Sequence, residues 1–233
     1  MKSTLAVSLS ILGLASAHPA RRDDPVRILP KDWTFEITSL EGPGCPDFGV
    51  PDGEGNLRST RLTYGQNTMD GSEIYHRFIA YPSLHVELGK TESVWCETEL
   101  QYKEFKDGEE SEDYRLRLHK NGTKAIATYD IGSDVEATLS FTYLDADITD
   151  SYTLRGPTDS GEYSELTLTN AKSGLYEEPK CGATKLKFRV ELEIGGTGEK
   201  GVVESGHSTN EDGSTQYYGT QLGFSYDWEK CEN

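Results

Sequence analysis

The chain has 233 residues, with 40 Asp and Glu against 23 Lys and Arg, a formal net charge of −17 and 34% hydrophobic residues. So acidic a chain repels nucleic acid and anionic membrane surfaces, which leaves neutral, cationic or metal-bridged partners. Its 24 Gly and 13 Tyr suit strands and turns better than a bundle of helices.

Residues 1–17 read as a secretory signal peptide. Lys2 supplies the basic start, Leu5 to Leu14 the apolar stretch, and Ala15-Ser16-Ala17 the small-residue cleavage site. The stretch falls short of the roughly 20 apolar residues that span a bilayer, so a secreted, extracellular chain without membrane association is expected. Residues 18–22 read as a pro-segment ending at the dibasic pair Arg21-Arg22, which starts the mature chain at Asp23. Residues 23–32 are an N-terminal extension, and 33–233 are expected to form one domain.

Alternation with period two then dominates. Trp33, Phe35 and Ile37 share one face of a first strand, and Val94, Cys96, Thr98, Leu100 and Tyr102 share one face of another. Tyr114, Leu116 and Leu118 alternate before Asn121-Gly122, a pair suited to a tight type I′ hairpin turn. Asp70-Gly71, Asp107-Gly108 and Asp212-Gly213 are weaker turn signals of the same kind. Ala137, Leu139, Phe141 and Tyr143 follow, and "KLKFRVELEI" (185–194) separates five apolar residues from five charged ones. Residues 46–56 and 195–215 read as long loops. No mature segment shows a helical period, so the expected fold is all-β, an antiparallel β-sandwich of two packed sheets.

The four cysteines of an exported chain read as two disulfides. Of the three pairings, Cys45–Cys96 and Cys181–Cys231 are preferred. Each closes a loop of about 50 residues, worth roughly 4 kcal/mol on the chain-entropy account, and the second ties down the C-terminus. Around Cys45, Pro43 and Pro46 fix the backbone and Gly42 and Gly44 free it, which makes a stiff connection that aims the cysteine at its partner.

Gly42, Gly44, Cys45 and Pro46, then Cys96, "YRLRL", "ATLSFTY", "RGP" (155–157), Cys181-Gly182, Trp228 and Cys231 carry a resemblance. Over about residues 33 to 231 the chain resembles an uncharacterised secreted domain family of filamentous fungi, marked by a Gly-x-Gly-Cys-Pro opening. The acidic stretch "KDGEESED" and the Gly/Ser-rich residues 195–215 depart from its pattern. The resemblance implies secretion and fold, and brings no catalytic residue with it.

Candidate chemistry is sparse. A chain starting at His18 would offer copper an amine and an imidazole, with His76, His85, His119 or His207 as second ligand. Glu97 and Glu99 are the carboxylates a glycosidase reading would examine, but they share one strand face. The acidic stretches 107–113 and 145–150 supply oxygen ligands for calcium without EF-hand spacing. Trp95 is out of phase with inward-facing Cys96, which makes it the candidate ligand surface; the alternative is that a loop or the second sheet covers it. Asn121-Gly122-Thr123 is an N-glycosylation acceptor. These residues favour a secreted, monomeric, non-catalytic protein without cofactor that binds carbohydrate or protein outside the cell or at its wall. The rival is a secreted enzyme, a copper-dependent polysaccharide oxidase using His18 or a glycoside hydrolase.

Overall fold

A computed structural model describes residues 29–46, 59–67, 75–161, 164–169, 176–209, 211–213 and 215–232. The signal peptide, the pro-segment with His18, most of the extension, nearly all of the loop expected at 46–56 and the Asp70-Gly71 turn lie outside the described residues.

The chain forms β1 (Asp32–Glu41), β2 (Arg61–Asn67), β3 (Tyr75–Tyr81), β4 (Val86–Glu87), β5 (Ser93–Lys106), β6 (Glu109–Glu110), β7 (Tyr114–Ile131), β8 (Val135–Tyr143) and β9 (Ile148–Arg155). There follow β10 (Thr158–Asp159), β11 (Ser164–Leu168), β12 (Tyr176–Cys181), β13 (Thr184–Gly196), β14 (Gly201–Glu204), β15 (His207–Thr209), β16 (Thr215–Tyr217) and β17 (Thr220–Lys230). Among the described residues there is no helix.

The first sheet runs β1-β5-β13-β8-β9, with β6 on β5. The second runs β2-β3-β17-β7-β14-β4, with β10, β11 and β12 also pairing with β7. The alternation read along β5 and β13 is the alternation of burial, so their apolar faces turn toward the second sheet and their charges toward solvent, except Glu104, which is buried and accepts from the Ser111 hydroxyl and the Tyr114 amide. Aromatic rings fill the space between the layers. Phe188 of the first sheet stacks on Phe224 of the second at 4.9 Å between centroids, and Trp33 meets Trp228 at 4.6 Å. Their polar neighbours are satisfied across the gap: Trp228 Nε1 donates to the Tyr102 hydroxyl at 2.8 Å, and Tyr81 pairs with Thr98 at 2.9 Å. Disulfides Cys45–Cys96 and Cys181–Cys231 join cysteines whose Cα atoms lie 5.6 and 6.4 Å apart.

Two expectations about connections are corrected. Asp107-Gly108 does make a two-residue turn, with φ of 54° and 92°, between β5 and β6. Asn121-Gly122 does not turn the chain; β7 runs straight through it. The reason is tertiary: β17 lies alongside both halves of β7, pairing Tyr226 with Leu118 and Phe224 with Thr123. Residues 119–122 therefore bulge opposite the single residue Ser225. His119 and Gly122 take positive φ, 64° and 68°, to absorb the extra length. The Ser225 hydroxyl spans the bulge, accepting from the Asn121 amide at 3.0 Å and donating to the Gly122 carbonyl at 2.8 Å. The second correction concerns 195–215. It contains β14, which pairs with β7 and β4, and the hairpin of β15 and β16. Its glycines had masked the short strands.

Candidate functional site

The outward face of the first sheet is a ladder of charges and hydroxyls. Glu99 on β5 accepts from Lys185 of β13 at 2.7 Å and from Thr38 of β1 at 2.9 Å. The lysine, then the threonine, hold its carboxyl below the ordinary carboxylate range. Glu97 accepts from Arg189 at 3.0 Å. Each of these carboxylates is thus an ion-pair partner in a charged sheet face rather than one wall of a cleft.

Trp95 stands on the same face, half-buried. The Arg189 guanidinium lies over its ring, 4.3 Å from the centroid. The Gly42–Cys45 connection folds back against it. The Gly44 amide donates to the Trp95 carbonyl at 2.8 Å, and a Cβ on Gly42, where φ is 124°, would lie 2.7 Å from the indole Cε3. The glycines of the Gly-Pro-Gly-Cys run are therefore the residues that let the disulfide-bearing segment reach the tryptophan. Trp95 is covered in part by this connection and by Arg189, and not by the second sheet.

Moving along the face, Trp95 shares a cross-strand row with Glu191, Ser140 and Ser151. The next row is Ser93, Glu193, Thr138 and Thr153. Beyond it the face opens into a groove of about 790 Å³ lined by Asp134, Glu136, Thr138, Arg155, Glu193 and Thr197. Its size falls in the range usual for small-ligand sites. Arg155 donates to Glu136 at 2.8 Å across the β8–β9 pair. Gly195 and Gly196 end β13 in the groove. A Cβ on Gly195 would meet no atom within 4 Å, so the space above it is open. Gly156 approaches so closely to the Gly132 carbonyl that no side chain fits there. The sequence reading missed this groove. Its only local signal was "EIGGTG", a strand ending in paired glycines.

The histidines weighed as copper ligands are dispersed. His119 and Asp150 are buried together, with Nε2 2.8 Å from both carboxylate oxygens, and so link β7 of the second sheet to β9 of the first. His76 is buried on β3, where loss of water and then the Lys124 charge push its imidazole down to about 4. His85 and His207 each place Nδ1 3.6 Å from a different oxygen of Glu204. Among the described residues no three His, Cys, Asp or Glu side chains gather as a metal site. In the acidic stretch 107–113, Asp107 pairs with Lys31, Glu110 with Lys103, and Asp113 with Lys106. Asn121 is exposed on the bulge of β7.

No protein-family model matches the chain, and no curated protein matches it. Among solved structures, the carbohydrate-binding module TmCBM61, in complex with β-1,4-galactotriose, is similar over 86% of this chain and 90% of its own, at 8% identity and a TM-score of 0.19. The enzymatically active domain of tailspike protein 4 from bacteriophage CBA120 is similar over 85% of this chain and 20% of its own, at 8% identity and a TM-score of 0.18. Neither likeness bears on a ligand or a reaction.

Proposed function

We propose that the protein is a secreted, non-catalytic β-sandwich that binds carbohydrate outside the cell through the groove at the end of the first sheet. The observation that carries this reading is the lining of that groove. Planar carboxylates and a guanidinium each present two polar atoms in fixed geometry, matched to neighbouring hydroxyls of a sugar ring. Glu136, Glu193, Asp134 and Arg155 supply such groups, Thr138 and Thr197 add hydroxyls, and Gly195 leaves room for a ring to approach the backbone. Trp95 adds an apolar rim one row away. Two disulfides suit an oxidising, extracellular setting. The resemblance to secreted fungal domains agrees with that setting.

Retention on chitin, β-glucan and cellulose tests the reading. Wild type is expected to be retained on at least one, and Gly195→Tyr, which fills the groove without backbone strain, is expected to lose that retention. Equal retention of both proteins, or none by either, contradicts it. N-terminal sequencing of the natively processed protein separates the rival enzyme: a start at Asp23 is expected, and a start at His18 with stoichiometric copper would overturn the non-catalytic reading. Asn121 is proposed to carry an N-linked glycan. A mass loss on N-glycosidase treatment that Asn121→Gln does not show checks this, and an unchanged wild-type mass contradicts it.

A further inference from the structure

We propose that the groove at the end of the first sheet takes amino sugars with free ammonium groups, the units of deacetylated chitin, in preference to neutral or acetylated sugars; this rests on the carbohydrate-binding reading of the same groove. Among the described residues of the lining, Asp134, Glu136 and Glu193 stand against one basic residue, Arg155. Arg155 donates to Glu136 at 2.8 Å, so its charge is matched within the β8–β9 pair. Lys200, just past Thr197, is matched in the same way by Asp130 at 2.8 Å. Asp134 and Glu193 are both exposed, and among the described residues no ion pair joins either of them to a basic side chain.

The strand register gathers these groups around one space. Glu193 of β13 lies opposite Thr138 of β8, and Gly195 lies opposite Glu136. Glu193 and Glu136 are thus diagonal neighbours on one face, with Cα atoms about 7–8 Å apart. Gly195 stands beside them, and a Cβ there would meet no atom within 4 Å. Main-chain bonds between the strand ends fix the frame. The Thr197 amide donates to the Asp134 carbonyl at 3.0 Å, and the Gly156 amide donates to the Val135 carbonyl at 3.0 Å. A backbone tied in this way is in place before a ligand arrives, so little ordering is left for binding to supply.

An ionised carboxylate accepts hydrogen bonds and donates none, so it suits a ligand group that has only protons to give. An ammonium offers three N–H donors and a full positive charge, and a charge-assisted hydrogen bond is about twice as strong as a neutral one. Acetylation turns that ammonium into an uncharged amide with one N–H and an acceptor oxygen, so the same carboxylates discriminate against it. The hydroxyls of Thr138 and Thr197 remain for the ring hydroxyls, which amino and neutral sugars share. The net charge of −17 draws a cationic chain toward the molecule, and the groove gives it a place to sit.

The test is titration calorimetry of the natively processed, secreted protein at about pH 5.5, which keeps a sugar amine protonated. The ligands are the β-1,4-linked tetramers of glucosamine and of N-acetylglucosamine, which share a backbone and differ at the nitrogen. Wild type is expected to bind the glucosamine tetramer roughly tenfold tighter, with the difference shrinking in about 0.5 M salt. Glu193→Gln should bring the glucosamine tetramer close to the acetylated one. Gly195→Tyr, which keeps the charge and fills the space, should lose both. Glu109→Gln removes one exposed charge on β6, outside the groove, and should leave the preference as it is. A glucosamine tetramer bound no tighter than its acetylated form overturns this inference, and retention of the protein on the neutral polysaccharides then shows whether the carbohydrate reading survives it. A preference that persists in Gly195→Tyr, or that Glu193→Gln and Glu109→Gln reduce alike, is attraction to overall charge alone and overturns it as well.

Discussion

Single residues in this protein gain their roles from what lies across from them. Arg189 is a charged position on the outer face of β13, yet it serves Glu97, Glu191 and the ring of Trp95 together. That contact explains why an outward-facing tryptophan is only half exposed. His76 illustrates the same dependence through its charge. Held neutral until about pH 4, it stays unprotonated where the unfolded chain, with a histidine near 6.5, has already taken up a proton. Between those values the unfolded state binds more protons, so stability rises with pH. The contribution is full above about pH 6.5 and is lost as the pH falls toward 4. It amounts to roughly 3 kcal/mol if the whole difference is expressed. Urea unfolding at pH 7 and pH 4 should show a smaller loss of stability in His76→Gln than in wild type. Equal losses would show that His76 does not titrate as described.

At the scale of elements, the bulge of β7 shows where local signals give way. Asn-Gly between two alternating runs prefers a hairpin, but β17 offers pairing to both sides of it, and the longer ladder wins. The strained segment is held by Ser225 and, from the other layer, by Asp150 against His119. Ser225→Ala removes the hydroxyl and leaves the partly buried Asn121 amide and Gly122 carbonyl without their partner. It is expected to cost about 2 kcal/mol in chemical denaturation, and a loss below about 0.5 kcal/mol would show that the hydroxyl does not hold the bulge. The faces of β5, β8 and β13 were legible because each is buried on one side only, as the matching of Leu186, Phe188, Val190 and Leu192 to the core demonstrates, whereas β17 is buried on both faces and shows no alternation. The strands within 195–215 were not, because β14 owes its place to β7 and β4 rather than to its own alternation.

For the whole molecule, two layers and two covalent ties explain most of the architecture. The Cys181–Cys231 bridge fastens β12 to the end of β17, where the ladder with β7 has run out. Replacing both cysteines with serine should lower stability by roughly 4 kcal/mol and speed amide exchange in β12. An unchanged unfolding midpoint would mean that the ladder alone secures that end. The sandwich and its cysteine pairs could be argued from parity and spacing. The groove could not, because its lining comes from three strands and a crossing that meet only when β13, β8 and β9 align their ends. Trp95 attracted attention in the sequence as an unexplained aromatic, whereas Glu136, Glu193 and Arg155 looked like ordinary charges on wet faces. The most direct measurement is an NMR titration of the labelled, natively processed protein with soluble chitin, β-glucan, cellulose and galactan oligosaccharides. The account predicts that at least one perturbs the amides of Glu136, Thr138, Glu193 and Thr197, with no such change in Gly195→Tyr. Perturbations confined to other surfaces, or the same in both proteins, would contradict it.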